Sequence, residues 1–384
     1  MLDFVFYQKV KVMYGPGYLN KTGELLTQAG YNKAFIVCDA GIVATGMVKK
    51  LSEVLDASHI NYVVFDKVQP NPPIKFVVEG AELCKKESCD CVIGIGGGSN
   101  IDTAKAINCL RFNSPPIERF ADPNEPMNNS PGLIIIPTTS GTGSEVSDGM
   151  ILSDENHNKV PMLATNCMSE YAILDPELTA GMPKKLTIFT GLDALSHCVE
   201  AYTSNCCNPF NYPILEKMMD VIIEYLPRAV ENGKDMEARG MMCIASCIGG
   251  WMLGTGHCVA GHSFGHIVGG LFEMPHGLAV FSGLPYVLEF NAPVIPEQTK
   301  KVAQHFGITF KGDETPEQIG TMARDGLINF RDNVLHCPSI KTYPHDDSRF
   351  EELAKDIEGE MFQVFNPRKM TAADALEILK KVYA

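Results

Sequence analysis

Four short apolar runs, the first three each followed by a turn and then a helix-like pattern, constrain this chain most. They occupy residues 34–38, 61–65, 91–95 and 133–137. A strand with one face in water alternates apolar and polar residues, whereas continuous apolar runs belong to strands buried on both faces. Between the runs, Val43, Met47, Val48, Leu51 and Leu55 recur at spacings near four, and residues 76–84 and 101–110 also read as helices. This alternation predicts a Rossmann-like parallel sheet with right-handed crossovers, whose ligands bind beyond the C-terminal ends of the strands. After about Pro183 strand signals vanish, and residues 186–203, 211–230, 236–254 and 372–382 read as helices. A chain of 384 residues is long for one hydrophobic core. The predicted organisation is an α/β domain over residues 1–180 and an all-helical domain over 181–384, divided where Gly181 and Pro183 punctuate the chain.

A formal net charge of −14 argues against nucleic acid or an anionic membrane as the main partner. No apolar run reaches the roughly 18–20 residues of a membrane helix, and the start carries no basic segment ahead of an apolar stretch. Thirteen cysteines, an odd number without zinc-ribbon spacing, predict free thiols in a reducing compartment, the cytoplasm.

Gly96-Gly97-Gly98-Ser99 follows the third run directly and opens the helix at 101–110. Glycines allow the backbone to approach a phosphate closely, and a helix N-terminus offers it free N–H groups. Ser99 is expected to cap that helix, with Asp102 completing a capping box. The turn lacks full G-x-G-x-x-G spacing. A second hydroxyl-rich turn, residues 137–145 with Thr138 and Thr139, follows the fourth run in the same way, and two such turns favour a phosphate and ribose cleft. Asp39 ends the first run, where a carboxylate accepts hydrogen bonds from ribose hydroxyls and repels a 2′-phosphate, favouring NAD over NADP.

In the second half, Asp193 and His197 are four apart, one turn on a helix face. Thr190 and Asp193 also fit a capping box at a helix start. His262 and His266 repeat the four-residue spacing, and His276 lies in the turn Met274-Pro275-His276-Gly277. Imidazole and carboxylate without thiolate suit Fe²⁺, Zn²⁺, Mn²⁺, Co²⁺ or Ni²⁺. His257, Cys258, Cys198 and Glu200 lie nearby and are set aside, His257 as a packing or capping residue and the thiols as bystanders.

These motifs coincide with a family. The set G-G-G-S-x-x-D-x-A-K, P-T-T-x-G-T-G-S-E, G-x-D-A-L-x-H-x-x-E-A-Y, H-x-x-x-H-x-x-G-G and P-H-G resembles the iron-containing (group III) alcohol dehydrogenases, nearly end to end. The resemblance implies an NAD-binding α/β domain and a helical metal-binding domain in a dehydroquinate synthase-like fold. It also implies a homodimer and a metal, Fe²⁺ or another divalent ion, held by Asp193, His197, His262 and His276. His266 matches a non-ligand histidine associated with proton relay. Gly97, Gly98 and Ser99 match the pyrophosphate turn, with Gly96 and Asp102 beside it. Asp39, Asn71, Thr138, Thr139, Ser147, Lys159 and Leu178 match positions lining the rest of the NAD cleft. The implied reaction interconverts a small primary alcohol or diol and its aldehyde, with acidic aldehydes such as succinic semialdehyde or sulfoacetaldehyde as an alternative. Glycerol dehydrogenase-like members carry G-G-G-K and three ligands, where this chain has Ser99 and four matches. Departures at Phe264, Ile267, Val268 and Leu278, and variable positions at Gly149, Leu253 and Phe362, bear on substrate identity.

Overall fold

The computed structural model describes residues 4–122, 124–155 and 159–384. It divides into two compact units, residues 7–181 and residues 182–384, with 4–6 grouping with the second.

The first unit holds a six-stranded parallel sheet of β1 (Lys11–Tyr14), β2 (Lys33–Val37), β3 (Asn61–Phe65), β4 (Cys91–Gly96), β5 (Leu133–Pro137) and β8 (Tyr171–Leu174), in the order β1-β8-β5-β4-β2-β3. A separate antiparallel pair, β6 (Gly149–Ser153) and β7 (Lys159–Leu163), precedes β8. The helices are α1 (Thr22–Ala29), α2 (Ala40–Ala44), α3 (Met47–Ala57), α4 (Ile74–Lys86) and α5 (Gly98–Phe112). The apolar runs have a direct cause. Phe35, Val92, Leu133 and Ile135 feed one core with Ile107 of α5, while Ile36, Ile93, Ile134 and Ile136 feed another with Leu26 and Leu51. Successive residues of a strand point to opposite faces, and in β2, β4 and β5 both faces are covered, which leaves their centres apolar. Strand β3, expected to be buried in the same way, is an edge strand with only Phe65 buried. The single predicted helix through Val43 and Leu55 is two, because Gly46 adopts a left-handed φ of 82° between α2 and α3.

The second unit is helical: α6 (Lys184–Thr203), α7 (Asn211–Glu231), α8 (Met236–Gly256), α9 (Ala260–Leu271), α10 (His276–Asn291), α11 (Pro296–His305), α12 (Pro316–Asn329), α13 (Phe350–Gly359) and α14 (Ala372–Tyr383). Its largest core gathers Leu192, Leu195 and Val199 of α6 with Ile222 and Leu226 of α7 and Leu278 and Phe281 of α10. Nearly all of α6 past its first turn is buried, so that helix is the hub of the unit. Among the described residues no single helix is long and apolar enough to cross a membrane. All thirteen cysteines are free thiols, eleven of them buried.

Three local expectations fail. Ser99 does not cap α5: the N-cap is Gly97 without a side-chain bond, and Ser99 sits inside the first turn. Thr190 does not start a helix either, because α6 begins at Lys184 and the Thr190 hydroxyl donates back to the Leu186 carbonyl. His276 is the first residue of α10, not part of an open turn. In each case a stretch read as a helix start or a turn lies within a longer helix or begins one.

Candidate active site

Helix α6 carries Asp193 and His197 one turn apart, α9 carries His262 in its first turn, and α10 opens with His276. Asp193 Oδ1 lies 3.8 Å from His197 Nε2, 3.8 Å from His262 Nε2 and 3.5 Å from His276 Nε2. That oxygen is buried and accepts no hydrogen bond. The separations are too long for hydrogen bonds. They suit donors that share an ion, since two donors each about 2.1 Å from one tetrahedral cation sit about 3.4 Å apart. The side chains of Asp193, His197 and His262 are 4–5% exposed, but that of His276 is 34% exposed, so the cluster opens on the His276 side.

Small residues let these helices meet. A Cβ on Gly277 would lie 2.0 Å from the Phe189 carbonyl oxygen of α6, and one on Gly265 would lie 2.2 Å from Val280 of α10. Both glycines are required by close backbone approach.

Four residues that sequence reasoning set aside, left as variable, or did not reach adjoin the cluster. Glu200, fully buried on α6, places Oε2 3.1 Å from His262 Nδ1 and accepts from the Val259 amide at 2.6 Å. Burial pushes its carboxyl up to about 8, against the opposing pull of the Val259 and His262 amides and the His197 imidazole. Its signal was present in the sequence: 193, 197 and 200 fall on one helical face. Cys258, in the α8–α9 junction, has its sulfur within 4.8 Å of donor atoms of His197 and His262. Glu360 accepts from His266 Nδ1 at 2.9 Å and from the Ser263 hydroxyl at 2.9 Å. Burial raises the Glu360 carboxyl, and the bonds from His266, Phe362 and Ser263 outweigh it and hold the group below its ordinary value. Phe362 sets its ring 5.3 Å from that of His266 and 6.0 Å from that of His262. Glu360 lies 94 residues from His266, and no local pattern announces the pairing.

In the α/β unit, the ends of β2, β4 and β5 come together. Gly96 takes φ 142°, and a side chain there would collide with Asn100. Gly97 and Gly98 leave room against Thr139 and Thr142, and the Thr138 amide donates to the Gly96 carbonyl. Asp39 caps α2 through Ile42 and accepts from Asn100 Nδ2 at 2.5 Å, which ties the β2 end to the glycine turn. Asp39, Gly96–Ser99, Thr138 and Thr139 therefore form one cluster. Asp102 is half-buried, and its carboxylate is taken up by the Ser144 hydroxyl and the Ile151 amide. Lys105 donates to Ser144, Ser147 and the Gly149 carbonyl, so Ser147 is held through that lysine. Burial pushes the Asp102 carboxyl up and the Lys105 ammonium down, and each opposes the shift of the other. Asn71 has a left-handed φ of 49° in the loop after β3, and that loop is tied to the hairpin by Ser153 donating to Pro72. Lys159 of β7 pairs with Ser153 of β6, and Leu178 is a buried core residue in the apolar cluster of Ile36 and Ile95.

A parallel sheet with a glycine turn at its strand ends, and a helical unit with a buried carboxylate–imidazole cluster, define the class of a metal-linked oxidoreductase. Residues 9–176 match the iron-containing alcohol dehydrogenase model, and residues 187–383 match the C-terminal model of the Fe-containing alcohol dehydrogenase family. The chain is 33% identical over 381 residues to alcohol dehydrogenase 4 of Saccharomyces cerevisiae, covering 98% of each. It is 33% identical over 367 residues to the NAD-dependent methanol dehydrogenase of Bacillus methanolicus, covering 95% of this chain and 96% of that protein. The solved structure of a 1,3-propanediol oxidoreductase superposes with a TM-score of 0.91 at 28% identity, covering 99% of this chain and 100% of that one. The chain belongs to the iron-containing alcohol dehydrogenase family, and it is an oxidoreductase.

Proposed function

We propose that the protein interconverts a small primary alcohol or diol and its aldehyde with NAD(H), using a divalent metal, Fe²⁺ by family, held by Asp193, His197, His262 and His276. The observation that carries this reading is the buried Asp193 Oδ1, which accepts no hydrogen bond yet faces three imidazole nitrogens at 3.5–3.8 Å. A bound ion of this kind supplies Lewis acidity toward an alcohol or carbonyl oxygen. The remaining work falls to the chain. The Glu200 carboxylate lies against His262 Nδ1 and accepts from the Val259 amide, which leaves His262 Nε2 on the Asp193 side. Glu360 accepts from His266 Nδ1, so the proton of that ring sits on Nδ1 and Nε2 is free to take one from the substrate alcohol. Phe362 supplies an apolar wall beside both rings, which suits a short aliphatic substrate. In the α/β unit the Gly97–Ser99 turn at the start of α5 receives the pyrophosphate, and Asp39 receives the adenosine ribose and disfavours NADP. Cytoplasmic location and a homodimer complete the reading.

The test is NADH oxidation by metal-stripped protein against short neutral and acidic aldehydes, before and after adding Fe²⁺, Zn²⁺ or Mn²⁺. Metal-restored turnover of neutral C2–C4 aldehydes supports the reading. Turnover confined to acidic aldehydes replaces the substrate class, and no turnover with any metal refutes the reaction.

A further inference from the structure

Two donor sets overlap at His262. Asp193, His262 and His276 bring donor atoms within 4.8 Å of one another, and so do His197, Cys258 and His262, the latter set wholly buried. The first set is oxygen and nitrogen, and the second contains a thiol. Cys258 is fixed from both sides. The chain turns through 112° between α8 and α9, and His257 takes a left-handed φ of 61° there. A non-glycine residue persists in that region only where its surroundings over-determine it. Here the His257 amide donates to Leu253 at 3.2 Å and its ring stacks on Phe365 at 4.0 Å. On the other side the Val259 amide donates to Glu200, the carboxylate that also meets His262 Nδ1. The junction thus presents the sulfur to the same imidazoles that face Asp193.

We propose that His197, Cys258 and His262 form a second ligand set in the metal pocket, one that captures thiophilic divalent cations such as Zn²⁺ and Cd²⁺ as a thiolate complex. The inference rests on the metal-centre reading above. Binding replaces the S–H bond of Cys258 by a sulfur–metal bond and releases the proton to solvent, with no change of oxidation state. Soft thiolate selects zinc and cadmium, whereas a carboxylate with imidazoles suits iron and manganese, so the two sets sort ions within one pocket.

The experiment titrates the metal-free full-length protein with Co²⁺ and Cd²⁺, recording visible d–d bands, near-ultraviolet thiolate-to-metal charge transfer and proton release. One equivalent of Co²⁺ is expected to give both kinds of band. Cys258→Ser keeps the visible bands, loses the charge-transfer band and loses about tenfold or more in Cd²⁺ affinity, while His276→Ala keeps the charge-transfer band. Visible bands without charge transfer in the unmodified protein, or charge transfer that survives in Cys258→Ser, overturn Cys258 as a ligand. Absence of any cobalt spectrum overturns the metal-centre reading itself. Should Cys258→Ser fail to fold, zinc-edge X-ray absorption of the unmodified protein decides: one sulfur at about 2.3 Å supports the proposal, and a nitrogen and oxygen shell alone refutes it.

Discussion

Gly277→Ala is the sharpest test of how the helical unit holds its ligands. Gly277 follows His276 in the first turn of α10, and an added Cβ would lie 2.0 Å from the Phe189 carbonyl oxygen and 2.9 Å from Asp193 Cβ. The Phe189 oxygen is helix backbone and cannot swing aside, so an ordinary contact near 3.4 Å requires α6 and α10 to part by about 1.4 Å. Metal–donor distances tolerate only about 0.2 Å of change. The separation between Asp193 on α6 and His276 on α10, 3.5 Å now, is therefore expected to exceed what one ion bridges. Overpacking of this kind costs about 1–3 kcal/mol, offset by up to about 1 kcal/mol of helix propensity gained over glycine. Metal affinity, measured by chelator competition with Zn²⁺ and Co²⁺, is expected to fall about 10–100-fold, the range seen when ligand support is lost. The metal-free melting temperature falls with it. The control is Gly270→Ala on α9, an exposed position where a Cβ meets nothing within 4 Å. Its metal affinity is expected to stay within about threefold, as for a surface change worth no more than 0.5 kcal/mol. If Gly277→Ala binds metal as tightly as the control, helix apposition does not set the ligand geometry and the argument fails.

Other outcomes follow from the same groups. His266→Ala is expected to lower turnover about 10²–10⁴-fold while metal content stays full, because the ring serves proton transfer and not ligation; metal loss equal to that of His262→Ala would make His266 a ligand. Asp39→Gly is expected to raise the NADPH-to-NADH ratio of kcat/KM about tenfold or more, one decade being about 1.4 kcal/mol of repulsion relieved. Equal use of both cofactors by the unmodified chain would remove the basis for that change. For the metal-free protein, Glu200 sets a pH dependence with a definite sign. Its carboxyl titrates near 8 when folded and near about 4.3 when unfolded, so between those values the folded chain holds the extra proton. The stability it contributes is present below about pH 4.3 and is lost as pH rises through 8, at up to about 1.4 kcal/mol per pH unit. Urea midpoints across that window should decline less steeply in Glu200→Gln, and parallel declines would show that Glu200 is not the titrating group.

The legibility of this chain depended on how locally each feature is encoded. Strands β2, β4 and β5 announced themselves because their two buried faces leave few polar positions, as in Val92-Ile93 and Ile134-Ile135. Strand β3, read with them, lies at the other sheet edge with only Phe65 buried and was betrayed by its β-branched and aromatic residues. Strand β1 gave no such signal: Lys11–Tyr14 lies at the sheet edge with three of its four residues exposed, so burial did not shape its sequence. Strand β8 is only four residues long, and Pro161 disguises β7. Asp193, His197, His262 and His266 stood out because helical spacing of four is visible within one segment. The Ser99–Asp102 expectation failed for an informative reason. Asp102 is taken up by Ser144 and the Ile151 amide, partners more than 40 residues away that no local pattern displays. Glu360 is the extreme case, meeting His266 only after α10 to α13 have folded back.

The two units treat buried carboxylates differently, and the contrast bears on function. In the α/β unit the half-buried Asp102 has Lys105 close by, bridged through Ser144, and the fully buried Asp175 accepts from the Gly17, Leu19 and Glu177 amides, so these carboxylates are met by a cation or by backbone donors. The helical unit buries Asp193 and Glu200 and leaves Glu360 partly exposed, and the ion-pair partners of all three are imidazoles. An imidazole compensates a carboxylate only when it is protonated, which costs free energy above about pH 6.5. A cluster that holds Asp193 Oδ1 without a hydrogen-bond donor, paired among the described residues with three imidazoles and no lysine or arginine, is therefore unbalanced at neutral pH. A divalent cation restores the balance: it lets the rings stay neutral as ligands and favours the ionised form of Glu200, which burial alone opposes. On this argument the ion is a structural counter-charge as well as the chemical centre. Adding metal is then expected to stabilise the helical unit most where the metal-free protein is weakest, above pH 8.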